Sequence, residues 1–572
     1  MRSLLPAVFP RLTLLAAAVQ VMPMAAQAPP IAERIRAEGL EHSQVMSFQD
    51  ELCHAIGHRL TGSDNMTRAC EWARAHFAAM GLEARLEVWD EWRLAWNREE
   101  WMGRILAPEA IELQVATPAW SAGTLGQPKG TLVPLPRKDE AVAALLEGDE
   151  KYWVWGPRPS LQSNGWKRLQ PLIDAGRLLG TAQSAKSTGY TDKRYPNQIR
   201  VFGDSNVARG AWESRPTIPH IVVRDDQAVR IEELLQGSQK VTAQFEIRNR
   251  FRKGPIALTN VVADLVGSEK PDEMVIVCAH LDSWHQAAGA TDNGTGTCST
   301  LECARILTAA GARPRRTIRF CLWTGEEQGL LGSKKYVVQH RQEMGRVSAV
   351  FNHDSGTNWV HALTVAESMR ADFENALAPV MRLASPQQGF EGPVFELTVK
   401  DTIPGSGGGS DHASFLAAGV PAWPWSLRGE SQYGYGWHSQ WDTYDLVIPP
   451  YQAHNATVFA MVALGIADRP ELLSRDGLGK ARPAQDATAL TEGRLGVSLD
   501  GVKVTKVEPD GLAQRAGVQV GDTFEEVQGM PVSQPVDIWR IVRELGDGDE
   551  VRFVVQRGGK SVELRVPAAV KR

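Results

Sequence analysis

Apolar and polar residues follow two rhythms along the chain. Residues 31–40 and 44–55 place apolar side chains at helical spacing. Residues 65–80 do so more strongly, with Met66, Ala69, Trp72, Ala73, Phe77 and Met80 on one face. Gly81 follows where a helix C-terminus favours glycine, and 85–89 alternates as a strand does. From 257 to 467 short apolar runs take turns with amphipathic stretches. Strands are predicted at 258–265, 274–279, 317–323, 347–352 and 420–425. Helices are predicted at 297–310, 332–340, 369–383, 410–418 and 450–467. That alternation predicts an α/β fold, a mainly parallel mixed sheet flanked by helices.

Between these blocks the rhythm changes. Short strand candidates at 111–116, 130–134 and 218–223 stand among glycine, proline and tryptophan, followed by a short helix at 229–235 and a strand at 241–248. Residues 109–249 are therefore expected to form a mostly β inserted domain within a unit made of 29–108 and 250–468. The tryptophans there (Trp153, Trp155, Trp166) read as core packing. Residues 469–489 are polar, with Pro470, Gly477, Gly479 and Pro483, and read as a linker. Residues 490–572 form a small β-rich unit.

Composition narrows the function classes. The chain has 572 residues, too many for one core. The formal charge is −5 and no long basic run appears, which argues against nucleic acid or an anionic membrane as partner. At the N-terminus, Arg2 and Arg11 accompany an apolar stretch at 12–21, too short to span a bilayer. With the small-x-small triplet Ala26-Gln27-Ala28 it reads as a signal peptide over 1–28. Export to a periplasm or beyond is expected, with no membrane span after its removal. The six cysteines contain no CxxC pattern, so cysteine is not the expected metal ligand. The cysteines read as buried free thiols, with a Cys53–Cys70 pair in an oxidising compartment as the alternative.

The candidate chemistry lies where apolar runs end. His280 follows 274–279, Glu326 and Glu327 follow 317–323, and Asp354 follows 347–352. Asp292 opens a helix, and His438 is read as coming near an apolar run. In an open parallel sheet such positions gather at the carboxyl edge of the strands. Two histidines and three carboxylates suit zinc or another mid-row divalent ion. If Asp292 bridges, one ion takes Asp292, Glu327 and His438, and a second takes Asp292, His280 and Asp354. Two ions about 3.5–4 Å apart can share a water and lower its pKa. Glu326, left over beside Glu327, is then a natural general base. Asp282 is expected to accept the far ring N–H of His280 and fix its tautomer.

The motifs His280-Leu281-Asp282-Ser283, Asp292-Asn293-Gly294-Thr295-Gly296, Gly325-Glu326-Glu327-Gln328-Gly329-Leu330, Asp354-Ser355-Gly356, Ser410-Asp411-His412-Ala413-Ser414 and Trp437-His438-Ser439 resemble the M28 family of co-catalytic zinc peptidases. Residues 280–284 and 322–329 are most similar to its carboxypeptidase Q-like branch, and 56–63 also fits. The resemblance spans about 30–470. It implies two zinc ions per chain, the ligand set above and Glu326 as base. It further implies a protease-associated character for the insert and a cis peptide after Asp292. No ligand position is missing, which sets the chain apart from relatives that have lost ligands and only bind.

Near the site, Asp411, His412, Tyr433 and Tyr435 are candidate pocket residues, with the aromatic, glycine-rich 433–437 a pocket wall or oxyanion donor. In the last unit, Leu495-Gly496-Val497, Ala516-Gly517-Val518 and Gly521-Asp522 resemble a PDZ domain. That resemblance implies a peptide C-terminus bound at the Leu495–Val497 turn. The combined expectation is an exported metallo-exopeptidase acting on dipeptides or short peptides. An aminopeptidase on longer peptides, or a non-catalytic peptide-binding protein, are the competing readings.

Overall fold

Eight strands precede the predicted metal-ligand region: β1 (Glu83–Ala107), β2 (Ile111–Leu113), β3 (Val115–Ala116), β4 (Lys129–Pro134), β5 (Tyr152–Trp155), β6 (Leu178–Ser184), β7 (His220–Val223) and β8 (Thr242–Leu265). Seven more follow: β9 (Lys270–His280), β10 (Arg316–Trp323), β11 (Val347–Asn352), β12 (Trp359–Ala366), β13 (Glu396–Lys400), β14 (Ala422–Pro424) and β15 (Ser426–Arg428). The C-terminal unit adds β16 (Val497–Asp500), β17 (Lys503–Val507), β18 (Thr523–Val527), β19 (Met530–Pro531), β20 (Glu550–Arg557) and β21 (Lys560–Pro567). The structure, a computed structural model, describes residues 29–159, 163–479 and 495–567, the last stretch without 501, 510, 533–537 and 539–549. The expected signal segment 1–28 lies outside the described residues.

One large sheet runs in the order β14-β11-β9-β10-β8-β4-β5-β6-β7-β3. At one end β14, β11, β9 and β10 are parallel; at the other, β4 to β7 are parallel. Strand β8 belongs to both ends, pairing with β10 near Leu265 and with β4 near Thr242. Strand β1 runs antiparallel along β8 for almost its whole length. Both strands far exceed the predicted 85–89, 241–248 and 258–265. Their shared middle, around Asn97 to Glu100 and Arg248 to Lys253, is polar, so no apolar alternation marks it as strand.

The apolar run of β9 is explained by its two covered faces. Val275, Val277 and Ala279 join a core with helices Ile31–Leu40, Asp64–Ala79, Thr295–Ala309 and Pro449–Ala467. Met274, Ile276 and Cys278 face the other way, against Tyr336, Phe415 and Leu416. Side chains alternate across a strand, so a strand buried on both sides reads as continuously apolar. Each such aliphatic side chain contributes about 1.5–3 kcal/mol by leaving water. The early helix starts where Ser63 Oγ accepts the Met66 N–H at 3.1 Å, an N-cap bond.

In the 109–249 region, helices Asp139–Leu145, Asn164–Asp174 and Asp225–Gln236 accompany the strands. Trp153, Phe245, Ile221 and Val223 pack together at its centre. A separate sheet β13-β12-β15 and the C-terminal sheet β16-β17-β18-β20-β21 complete the strands.

One expectation needs correction, and the choice left open for the cysteines falls to buried free thiols. Residues 470–479 are not a free linker: Leu473 is buried in the main core, its N–H donates to Ser348 Oγ at 3.0 Å, and Arg475 donates to the carbonyls of Gly419, Met344 and Val347. The rest of the expected linker, 480–489, lies outside the described residues. Cys53 and Cys70 are not bridged; all six cysteines are buried free thiols. Cys53 Sγ receives the Gln49 amide at 3.3 Å, while Cys70 Sγ donates to the Thr259 carbonyl at 3.6 Å. Among the described residues no helix is long and apolar enough to cross a membrane.

Candidate metal centre

Ladder register brings the first groups together. His280 is the last residue of β9 and pairs with Trp323 of β10; Asn352 of β11 pairs with Cys278. The chain after β10 therefore turns over His280, and the chain after β11 brings Asp354 beside it. The fourth segment, 290–294, holds Asp292, whose peptide bond to Asn293 is cis. The fifth departs from expectation. His438 is not at a strand end but in a loop after the single turn Tyr433–Gly436, and its φ is 54°.

Two ligand groups result, and Asp292 is common to both. His280 Nε2 lies 3.3 Å from Asp292 Oδ1 and 3.6 Å from Asp354 Oδ2. His438 Nε2 lies 3.0 Å from Asp292 Oδ2 and 2.9 Å from Glu327 Oε2. His280, Asp292 and Asp354 could hold one cation, and Asp292, Glu327 and His438 another. The donor chemistry fits. Glu327 Oε1 is buried without a hydrogen-bond partner and Asp292 Oδ2 faces only the His438 imidazole, a costly arrangement unless a cation satisfies them. Among the described residues, Asp292, Glu327 and Asp354 have only His280 and His438 as ion-pair partners.

Electrostatics point the same way. Burial opposes charge on His280, yet Glu326 and Asp354 outweigh it and hold the imidazole well above its ordinary range. His438 is raised to about 10 against burial, by Glu327 and Asp292. Burial, followed by the charge of Asp292, lifts Glu327 to about 7. Asp292 and Asp354 stay low despite burial because the imidazoles hold them. A cluster that draws protons onto both histidines is one that demands positive charge, and a divalent ion supplies it by displacing them.

Asp282 does a different job from the one expected. The partner of His280 Nδ1 is the Asp282 main-chain carbonyl at 3.0 Å; the carboxylate lies farther away, at 3.7 Å. That carbonyl accepts the Nδ1 proton and leaves Nε2 facing Asp292. The Asp282 carboxylate instead accepts the N–H groups of Glu326 and Glu327, each at 3.2 Å, and the Thr61 hydroxyl at 3.0 Å. It anchors the turn that carries both glutamates.

Two supports had no role assigned from the sequence: Asp442 carried no signal, and Arg59 lies in the 56–63 motif. Asp442 accepts Thr291 N–H at 2.7 Å, Thr291 Oγ at 2.6 Å and Asp292 N–H at 3.0 Å, pinning the segment that bears Asp292. Burial, with the charge of Asp292, raises Asp442 to about 6. Arg59, fully buried, donates to the carbonyls of Gly57, Leu281, Ala288 and Gly289 and shapes the loop after His280. The early 56–63 motif thus acts on the loop from a distance.

The pocket candidates divide. Tyr433 is half-buried, and burial, then the charges of Asp292, Asp354 and Glu327, raise its phenol well above the usual range. Tyr435 turns away: it is 40% exposed and stacks on Trp441. Asp411 is buried with both oxygens unpartnered, and burial raises it to about 7. His412 is buried and lowered to about 4. Trp284 packs against Trp120, Phe202 and the ring of His438. Phe202 is also a wall of a cavity of about 540 Å³ on the insert side.

In the C-terminal unit, Leu495 and Gly496 are buried, and Val497 opens β16. The Leu495 and Gly496 carbonyls accept from Ala513 and Glu508 N–H. Gly496 has φ 71°, where glycine is favoured, and a Cβ there would meet Gly511 Cα at 2.8 Å. Among the described residues β16 pairs only with β17.

Residues 260–463 match the sequence model for peptidase family M28, and 503–565 match a PDZ domain. The chain carries an M28 peptidase domain. Carboxypeptidase Q of Mus musculus is 27% identical over 429 residues, covering 74% of this chain and 86% of the relative. Leupeptin-inactivating enzyme 1 of Streptomyces exfoliatus is 31% identical over 177 residues, covering 28% of this chain and 34% of that protein. A crystal structure of a peptidase M28 precursor from Shewanella amazonensis SB2B has the same fold: TM-score 0.53, 24% identity, 78% of this chain and 97% of that one. The M28 domain makes the chain a hydrolase of the metallopeptidase class, with peptides as substrates.

Proposed function

We propose that the chain is an exported metallo-exopeptidase that cleaves dipeptides or short peptides at a pair of zinc or similar divalent ions, with Glu326 as general base. The observation that carries this is Asp292, whose two oxygens face two different ligand groups. Bound there, the ions supply Lewis acidity and an acidified water.

The protein's own residues do the rest. Glu326 takes a proton from the attacking water and returns it to the departing amine. Burial, with the charges of Asp411 and Asp354, holds its carboxyl well above the ordinary range in the metal-free chain. Asp282 sets the Glu326 position through the turn amides. In this reading Tyr433 donates its hydroxyl to the developing oxyanion. Asp411 and His412, both buried and within reach of the charge of Asp354, complete the pocket in this reading. The cavity behind Phe202 offers room for the rest of a peptide. In the C-terminal unit, a peptide C-terminus adds as a strand to β16, its carboxylate at the Leu495–Val497 turn.

The name of the carboxypeptidase Q relatives favours a substrate with a free carboxyl end. A panel of di- and tripeptides with free, acetylated or amidated ends tests this. Free dipeptides should be cleaved, and amidation should slow cleavage more than acetylation. Fast cleavage of amidated peptides, with loss on acetylation, would overturn it in favour of an aminopeptidase. Binding without any hydrolysis would mark a non-catalytic peptide binder.

A further inference from the structure

The loop that carries His438 is held from outside its own domain. Residues 195–202, on the insert side, lie along residues 432–440 and bond to them before and after the histidine. Tyr195 donates its hydroxyl to Gln432 Oε1 at 2.9 Å. The Gln198 amide donates to the carbonyls of Gly434 and Tyr435 at 3.1 and 2.8 Å. Arg200 donates to the Gly434 carbonyl at 2.8 Å, and its guanidinium lies 5.0 Å from the Trp437 ring centre. Beyond the histidine, Ile199 N–H donates to Gln440 Oε1 at 2.7 Å and the Gln440 amide returns a bond to the Asn197 carbonyl at 3.0 Å. A bridge pairs Arg200 with Ser439, and the Phe202 ring meets the His438 ring edge-on at 5.3 Å. Gln198 and Arg200 are themselves buried.

This strap has something to hold. His438 sits at φ 54°, a region that a residue with a Cβ occupies only when its surroundings impose it. The loop ahead of it contains Gly434 and Gly436 and forms only one helical turn, so it has little rigidity of its own. His280, by contrast, ends a strand held in ladders on both sides, paired with β10 up to His280 itself and with β11 up to Cys278.

We propose that residues 195–202 are a positioning strap for His438, so that the insert governs occupancy of the cation position formed by Asp292, Glu327 and His438 and leaves the one at His280 and Asp354 alone. This rests on the two-ion reading above. The strap touches neither substrate nor reacting atoms; Gln198 and Arg200 act through the loop.

The test uses the full chain, stripped of metal and titrated with zinc against a chromophoric chelator, to give two dissociation constants. Gln198→Ala and Arg200→Ala should each weaken one constant about tenfold or more, the size usual for lost support of a ligand. The other should stay within about twofold, at an unchanged melting temperature of the zinc-free chain. Gln440→Ala, on the loop itself, should give the same selective loss and serves if an insert variant fails to fold. Two unchanged constants in a folded variant overturn the strap, and so does equal weakening of both, which would mark general destabilisation. Wild-type protein that binds fewer than two zinc ions overturns the two-ion reading and the strap with it; wild-type protein with two ions and non-selective variants overturns the strap alone.

Discussion

The two halves of the ligand cluster are built by different means. His280 and Asp354 follow neighbouring parallel strands, and the register of β9 with β10 and β11 sets where they stand. The direction of the His280 ring is set two residues away, by the Asp282 carbonyl. His438 has no ladder. Its backbone is left-handed, its loop is short and glycine-bearing, and its neighbours are bonded to a segment more than two hundred residues earlier. A ligand at a strand end inherits rigidity from the sheet, whereas a ligand in a loop depends on whatever packs over it. Asp292 is common to both halves, and Asp442 pins it by accepting two main-chain N–H groups.

Perturbations can therefore be ranked by how they strike the two halves. Asp292→Ala removes the shared ligand and should leave neither ion bound and turnover at background; metal content and dipeptide hydrolysis measure it. Retention of one ion would mean that Asp292 is not shared. Glu326→Gln should keep both ions and lose about 10² or more in turnover, as general acid–base catalysis requires. Near-normal turnover there would remove Glu326 from the mechanism. Asp282→Asn weakens the acceptor of the Glu326 and Glu327 amides and should cost about 10–100-fold in metal affinity or turnover. The smallest effect belongs to a site outside both halves. His340 bonds to Glu87 at 2.9 Å and Glu343 at 3.0 Å, and the Glu87 bond leads in raising its pKa above 6.5. A raised histidine contributes stability that is full below its unfolded pKa and is lost as pH rises through its folded one. His340→Gln should flatten the fall in melting temperature from about pH 6.5 upward, with metal content unchanged. Altered metal content in that variant would show that the halves are not insulated from the surface.

What could be read without coordinates follows from the same contrast. Strands such as β9 are buried on both faces and announce themselves as unbroken apolar runs, so the residues that end them could be located. The sequence set His438 only near an apolar run, and its loop placement came with the tertiary structure. The β1–β8 ribbon was read as short pieces because its middle is polar. Asp442 stands in a stretch with no periodic neighbours, and the use of the Asp282 carboxylate depends on a contact with a turn more than forty residues away. Residues 470–479 looked like linker by composition, but one buried leucine and one arginine bonded to three carbonyls tie them down.

The most direct measurement is the metal content of the folded wild-type chain, by elemental analysis after reconstitution with zinc and removal of the excess. Two ions per chain are expected, with one retained in His438→Ala and both lost in Asp292→Ala. One ion or fewer in the wild-type chain would contradict a centre built around a shared Asp292.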